Sequence, residues 1–583
     1  MKALFKKLEE LHQKKEVSLL ELEFGRFLYS LDKTVPEQVV LAGISCVQKQ
    51  INGHICCSIS DIISNPVYQS LLETDTNEES LSLDLKKAKI VGKPGETKPL
   101  ILDGGNLYLQ KLWKYEQELA DFLNKKSIIT HSLDEGLKEH VDQIFSEDPS
   151  RESLQKIAVF LSLVKDLVII SGRPGTGKTY TIKRIVEALN HKDKKSNIAL
   201  ATPTGKAAQR LNESFDVESS ALSTNFATTI HKLLQSRGAS GSFKYNENNK
   251  LPFDVLIIDE ASMLDINLWI RLIRALPEHS KLILLGDKNQ LASVEAGSIL
   301  EDICSGASIN FSNTLFPYGK SKIDSINVLK PINDCIVELT TSYRFEEKSG
   351  IGIFSELINS DESEEVLRLL KNDSYPEVNI AQPTNKVINE LIQDFVIHPF
   401  LNGREVGFNF ELLKKNQILC ALRKGPFGVE KMNELAEKSL KKVLGISVSG
   451  EWYEGRPILI TRNNSLLRVR NGELGICKRD KQSGLFEIEF EEKEKPTISV
   501  SRIQDYEPAF ATTIHKSQGS EYEHVSIMLS NQSNPLLSKQ LLYTAVTRAR
   551  ESVLVIASES VITSTVQKNV VRRSGLRDKI WTL

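Results

Sequence analysis

The sequence predicts an α/β protein: two lobes built on doubly wound parallel sheets, a mostly helical N-terminal domain ahead of them, and a small β-barrel inserted in the second lobe. Three observations predict this. Short apolar runs that end in turn residues, DLVIISG, NIALATP, DVLIIDE and KLILLGD, alternate with helical segments. A strand covered on both faces reads as such a continuous run. The same pattern returns late in the chain, where HVSIMLS and SVLVIAS flank the helical LLYTAVTRARE. Between them, RPILITRNN, LLRVRNGELGICKRD and LFEIEFEE alternate about Asn-Gly and Ser-Gly turns, as strands of a small barrel do.

The boundaries follow in order. Residues 1–146 lack phosphate-binding glycines and open with Leu4, Phe5, Leu8 and Leu11 at helical spacing. The polar stretch Thr74 to Lys98 inside them reads as a loop. The first lobe takes 147–350 and the second 351–583, with 451–505 as the inserted barrel. A chain of 583 residues with 40% hydrophobic and 26% charged residues holds several folded domains, which excludes global disorder. Its net charge of -2 excludes a basic coat that binds nucleic acid in bulk, so any such contact belongs to a local groove. Seven cysteines without C-x-x-C spacing predict reduced thiols. No signal-like run opens the chain and none reaches the ~18 apolar residues of a membrane span, so a cytoplasmic protein is expected.

The residues that carry chemistry cluster at strand ends. Gly172, Arg173, Pro174, Gly175, Thr176, Gly177, Lys178 and Thr179 form G-x-x-x-x-G-K-T directly after an apolar strand and before TIKRIVEAL, with Tyr180 next in the same nucleotide-binding segment. Glycines in such a loop let backbone N–H groups converge on phosphate oxygens; Lys178 reaches the β and γ phosphates, and Thr179 offers a hydroxyl to Mg²⁺. VLIIDE supplies a second motif, in which Asp259 holds Mg²⁺ and Glu260 orients or deprotonates the attacking water. In LLGDKNQL, Asp287 and Gln290 are placed to sense the γ phosphate. Arg344 in TSYRF and Arg548 in YTAVTRAR are candidates to neutralise the transferring phosphoryl group from the second lobe. ATP and Mg²⁺ are the cofactors these groups imply.

A nucleic-acid groove needs small, polar and basic groups in a row. Pro203, Thr204, Gly205 and Lys206 follow the second strand, and T-T-I-H-K occurs twice, with Thr229 and His231 in one copy and Thr513 and His515 in the other. Hydroxyls, backbone N–H groups and lysine grip phosphates without reading bases. The segment 241–250 reads as a hairpin, a candidate strand-separating pin or a plain surface turn.

With those residues in hand, the sequence resembles the superfamily 1 DNA helicases, and within them the RecD family, the alpha subunits of exodeoxyribonuclease V. SGRPGTGKT, ATPTGKAAQRL, IIDEASMLD, LGDKNQLASVEAG, SYRF, ALRKGPFGVEKMNE, TIHKSQGSEY and YTAVTRAR match that family's motifs in order. The resemblance implies RecA-like P-loop NTPase lobes and an SH3-like inserted barrel. It implies that Gln155 recognises adenine and that Gly519 and Glu521 approach the ribose. It implies a 5′ to 3′ DNA helicase on single strands and duplex ends, the motor of a helicase-nuclease complex for double-strand break repair and recombination. In such a complex the N-terminal domain docks on the gamma subunit and the beta subunit carries the nuclease. GHICCSI and PLILDGGNLYLQKLWKYE resemble that docking domain. Arg173 departs from the family, which commonly has a small residue there. A regulatory DNA-stimulated ATPase switch and a free-standing helicase remain as alternatives; a small-molecule P-loop kinase explains neither TIHKSQGSE nor YTAVTRAR.

Overall fold

A computed structural model describes residues 1–71, 76–132, 135–146, 154–215, 227–237, 241–293, 295–308, 330–343, 349–402, 409–447, 451–464, 466–492, 495–532 and 534–582. The N-terminal part joins helices to a four-stranded sheet of β1 (Cys56–Ser58), β2 (Val91–Gly92), β3 (Leu100–Asp103) and β4 (Asn106–Leu109), ordered β1-β4-β3-β2. Its helix Leu19–Leu31 starts at a capping box in which Ser18 and Glu21 satisfy each other's backbone N–H groups. Leu8, Leu28, Leu41 and Ile44 fill the core between helices and sheet.

The loop expected from Thr74 to Lys98 is corrected here: Glu78–Lys87 is a helix and Val91–Gly92 a strand. Asn77 caps the helix on the Ser80 N–H, Glu78 and Glu79 sit at its positive end, and Lys86 and Lys87 at its negative end. Leu81 and Leu85, four residues apart, are both fully buried, so a short, highly charged segment still has one apolar stripe to bury.

The first large sheet holds β5 (Leu167–Gly172), β6 (Ile198–Thr202), β7 (Thr228–Thr229), β8 (Val255–Ile258), β9 (Lys281–Gly286) and β10 (Ile336–Leu339), all parallel, in the order β10-β5-β9-β8-β6-β7. Leu167, Ile169, Leu256, Ile258, Leu282 and Leu284 join the core on one face, while Val168, Ile170, Val255, Ile257, Ile283 and Leu285 join the core on the other. Period-two alternation is therefore present, with apolar residues on both sides.

The second parallel sheet contains β11 (Val378–Ala381) and β12 (Asn416–Cys420), then, after the insertion, β18 (Ala511–Thr513), β19 (Tyr522–Met528) and β20 (Ala549–Ile556), ordered β11-β20-β19-β12-β18. The insertion is an antiparallel sheet of β13 (Pro457–Ile460), β14 (Leu474–Arg479), β15 (Phe486–Phe490), β16 (Ile498–Ser499) and β17 (Tyr506–Pro508), with its own core of Ile458, Ile460, Cys477, Ile488 and Phe490. Arg456, buried beneath Trp452 and Tyr506, pairs with Glu437 at 2.6 Å and so ties the insertion to the helix Val429–Leu444. All seven cysteines are buried and unpaired, and among the described residues no helix is long and apolar enough to cross a membrane.

The last segment leaves the second sheet and returns to the N-terminal part. The Ile55 N–H donates to the Arg573 carbonyl at 2.9 Å, and the Gly575 N–H donates to the Glu116 carboxylate at 2.9 Å. The Ser574 hydroxyl donates to Asp302 at 2.6 Å. The helix Leu576–Trp581 then packs Leu576 and Ile580 into the same core as Leu119, Leu123, Ile299 and Ile303. One terminal strap thus joins three parts of the chain.

Two predictions follow from this strap. A Cβ at Gly575 would collide with the Tyr108 hydroxyl and lie 2.9 Å from Glu116, so Gly575→Ala should lower unfolding free energy by about 1–3 kcal/mol in a denaturant titration. Burial, opposed by the Ser574 hydrogen bond, pushes the Asp302 carboxyl up from 3.8 to about 7. The native state then holds more protons than the unfolded chain across that window, so stability falls as pH rises through it and the penalty is complete above pH 7. Asp302→Asn should raise the melting temperature at pH 8 and give no gain near pH 4, read by calorimetry at both pH values.

Candidate active site

The carboxyl ends of the first sheet's strands bring the motif residues to one edge, where ligands of parallel α/β sheets bind. Gly175 and Gly177 adopt φ of +88° and +81°, which only glycine takes freely, and let the chain curl before the helix Lys178–Lys192. The Thr176 hydroxyl donates to the Arg173 carbonyl at 2.8 Å and holds that curl. Lys178 folds its ammonium back onto the Gly172 carbonyl at 2.6 Å and the Arg173 carbonyl at 3.3 Å, directly over the loop.

Beside it, the Asp259 N–H donates to the Ala201 carbonyl at 3.0 Å, and the Glu260 N–H to the Asp259 carboxylate at 2.9 Å. Glu260 sits at φ +57°, a left-handed conformation that costs a non-glycine residue energy and that functional sites retain. Loss of water and then the Glu260 charge push Asp259 up to about 6, while Lys178 pulls it back.

The second lobe closes the edge. Arg548, 2% exposed, donates to the Thr544 carbonyl at 3.1 Å, the Ser520 carbonyl at 3.3 Å and the Gln290 side-chain oxygen at 2.9 Å. Gln290 donates in turn to Asp287 at 3.1 Å, and the Tyr543 hydroxyl donates to the same Asp287 oxygen at 2.9 Å. The Leu291 N–H donates to the Thr544 hydroxyl at 3.0 Å, and Gln518 donates to the Leu291 carbonyl at 3.0 Å. Arg210 of the first lobe and Arg550 of the second both bind the Glu521 carboxylate, the latter at 2.7 Å. Between the lobes lies a cavity of about 500 Å³ lined by Gly175, Lys178, Thr179, Asp259, Glu260, Gln290, Glu521 and Arg548.

Comparison with known proteins places the chain in a family. The model of the RecBCD enzyme subunit RecD N-terminal domain matches residues 13–108, that of an AAA domain residues 155–296, and that of the UvrD-like helicase C-terminal domain residues 508–556. The RecBCD enzyme subunit RecD of Buchnera aphidicola subsp. Schizaphis graminum is 31% identical over 96% of this chain and 99% of that protein. The same subunit of Haemophilus influenzae is 33% identical over 82% and 80%. The chain belongs to the RecD family. Among solved structures, the Pif1 helicase from Bacteroides in complex with ADP-AlF3 and ssDNA is similar over 74% of this chain and 94% of that one, at 19% identity and a TM-score of 0.39.

Against the RecD motifs, the remaining residues fall as follows. Arg344 lies outside the described residues. Gln155 is 3% exposed and donates to the Thr176 carbonyl at 2.9 Å, behind the loop, in the space a Cβ at Gly177 would need; its side-chain oxygen has no hydrogen-bond partner among the described residues. Tyr180 turns away from the cavity, edge-on to Phe145 and under Arg184, because it lies a further step round its helix from Thr179. Arg173, the departure from the RecD pattern, reaches across the lobes to Glu356 at 2.7 Å. Pro203 leads into Thr204, whose hydroxyl caps the helix Gly205–Ser214, and Lys206 approaches the Tyr522 hydroxyl at 3.4 Å.

The two T-T-I-H-K copies share one local geometry. Each ends a parallel strand; the Thr229 hydroxyl accepts the Lys232 N–H at 3.3 Å and the Thr513 hydroxyl the Lys516 N–H at 3.2 Å, while Ile230 and Ile514 are fully buried. Loss of water lowers the pKa of His231, countered by Asp265 and helped by Arg271; it also lowers that of His515, helped by Arg572. The segment 241–250 is a turn closed between Asn246 and Asn249 and pinned by Phe243, over which Arg271 stacks.

Arg210, Tyr543, Thr544 and Arg550 were missed as site residues. All four stand inside quoted motifs, AAQRL and YTAVTRAR, where no spacing separates them from the neighbours that were singled out, Lys206 and Arg548. Tyr543→Phe should leave Asp287, 1% exposed, without one charge-assisted hydrogen bond and lower stability by about 1–3 kcal/mol in urea unfolding, with little change expected if that bond is absent in solution.

Proposed function

We propose that the chain is an ATP-driven motor that moves 5′ to 3′ along single-stranded DNA and unwinds duplex ends, as the alpha subunit of exodeoxyribonuclease V beside beta and gamma subunits, in the cytoplasm. Nuclease activity belongs to another subunit. One observation carries this: a single cleft is lined by the phosphate loop of the first lobe and by Arg548 of the second. A nucleotide cleaved there changes the fit between lobes, and a motor needs two such states.

In this mechanism the loop 172–177, apart from Pro174, which has no N–H, donates backbone N–H groups to the phosphates, and Lys178 leaves its carbonyl perches to neutralise the β and γ oxygens. The Thr179 hydroxyl and the Asp259 carboxylate fit Mg²⁺, since Asp259, short of water and beside the Glu260 charge, lines the same cleft as Thr179. Bound Mg²⁺ supplies charge neutralisation at the transferring phosphoryl group. Glu260 orients and deprotonates the attacking water; Gln290 and Arg548 report the γ phosphate across the interface, with Arg344 as a second finger. Gln155 reads adenine with its unsatisfied side-chain oxygen, and Glu521 receives the ribose.

Single-stranded DNA runs over Pro203, Thr204, Gly205, Lys206, Thr229, His231, Thr513 and His515. With both imidazoles held toward neutrality, the grip rests on hydroxyls, N–H groups and lysines, which is sequence-independent and salt-sensitive. The division into 1–146 for partner docking, RecA-like lobes over 147–350 and 351–583, and an SH3-like barrel over 451–505 accommodates these roles, with 241–250 as a pin at the duplex.

Lys178→Ala should lower ATP turnover at least tenfold, about 1.4 kcal/mol, and Arg548→Ala by about 10³-fold. Strand displacement by the chain, free and with its partners, on 5′- and 3′-overhang substrates is the accompanying measurement. Displacement confined to 5′ overhangs is expected; DNA-stimulated turnover with no displacement in either setting would point to an ATPase switch instead.

A further inference from the structure

We infer that the β13–β14 loop of the inserted sheet is a second phosphate grip, in which Arg462, Arg468 and Arg470 clamp single-stranded DNA against Lys206 and Lys232 of the first lobe. The inference rests on the DNA-motor function proposed above and adds a site to it.

The loop is built to project. Asn464 and Val469 exchange backbone hydrogen bonds at 2.9 and 3.0 Å, and the Asn464 side chain accepts the N–H groups of Leu466 and Leu467 at 3.1 Å. Arg468 takes φ +54°, a left-handed turn, and buried Val469 separates it from Arg470, so both guanidinium groups are exposed. Asn471 is tied to Asn463 by an N–H···O bond of 2.7 Å. Leu466 stands 90% exposed.

Its charges lack answers. Among the described residues none of Arg462, Arg468 and Arg470 has a carboxylate at ion-pair distance, whereas nearby Arg210, Arg456 and Arg550 each have one. The nearest acid on the loop, Glu473, is taken by the Lys495 ammonium at 2.5 Å and by the Arg470 N–H at 2.9 Å.

The loop also meets the first lobe's strand grip. The Arg470 stem lies 3.8 Å from where a Cβ of Gly205 would stand, and one small groove is bordered by Lys206, Arg470 and Asn471 together with Glu492 and with Glu473 and Glu491, which are paired to Lys495 and Lys414. Lys232 of the first T-T-I-H-K copy is pulled below its usual pKa by loss of water and then by Arg470, while Glu492 and Glu473 pull it back. Like charges brought together from two domains repel, and a polyanion between them removes the repulsion. Guanidinium groups take phosphate oxygens in a two-pronged fork, and the groove continues the row Thr204–Lys206 already assigned to the strand.

The test uses the full chain and a fluorescent oligothymidylate of about 20 nucleotides, with binding followed by anisotropy against salt. Each phosphate contact on a single strand contributes about 0.7 to the slope of log K against log salt. The triple substitution Arg462→Gln, Arg468→Gln, Arg470→Gln should therefore reduce the slope by about 2, so that raising salt from about 50 to about 200 mM weakens wild type about 20-fold more than the variant. Should the triple variant melt early, Arg470→Gln with an unchanged melting midpoint should show a loss of about 0.7. Equal slopes for wild type and variant overturn the clamp and leave the DNA motor standing. A wild-type chain that does not bind the oligonucleotide overturns both.

Discussion

The hydrogen-bonded run Arg548–Gln290–Asp287–Tyr543 passes between two parallel sheets that share no strand, and every side chain in it is nearly or fully buried. A guanidinium and a carboxylate so placed are tolerable only while each remains hydrogen-bonded, because an orphaned buried charge costs several kcal/mol. The lobes therefore cannot drift apart freely; they can exchange one satisfied arrangement for another. Lys178 is poised in the same way, its ammonium satisfied by two loop carbonyls that a phosphate can replace. A triphosphate entering this cleft has partners to trade with on both sides, which is the physical root of coupling nucleotide cleavage to a change in lobe geometry.

Around that interface the fold supplies restraint from two directions. The terminal strap fastens the second lobe's exit to Glu116, Asp302 and the N-terminal sheet, so the element proposed to carry partner contacts is mechanically continuous with the element that moves. The inserted sheet is fastened by Arg456 to the helix Val429–Leu444 and overhangs the first lobe through Arg470. A change in lobe geometry of the kind proposed would reach the groove at Gly205 without any long flexible lever.

Much of this was legible before folding was considered. Strands β5, β6, β8 and β9 read directly because burial on both faces leaves no polar alternation to blur them, and their motif residues follow because carboxyl ends of parallel strands gather at one edge. The repeat T-T-I-H-K was informative for a local reason: each threonine caps the turn that follows, so equal words fold equally. The helix Glu78–Lys87 was not legible, since two leucines among charges carry too weak a period against a polar background. Glu521's pairing with Arg210, Tyr543's bond to Asp287 and the return of Ser574 to Asp302 were invisible because each joins residues hundreds of positions apart, and no local pattern encodes such a meeting.

The central claim is that one nucleotide touches both lobes at once. Hydrogen exchange of the chain with and without a non-hydrolysable ATP analogue measures it directly. Slowed exchange is predicted in the loop 173–179 and, together with it, in 519–522 and 548–550 of the other lobe. Slowing confined to 173–179, with the second lobe's amides unmoved, would contradict a shared cleft.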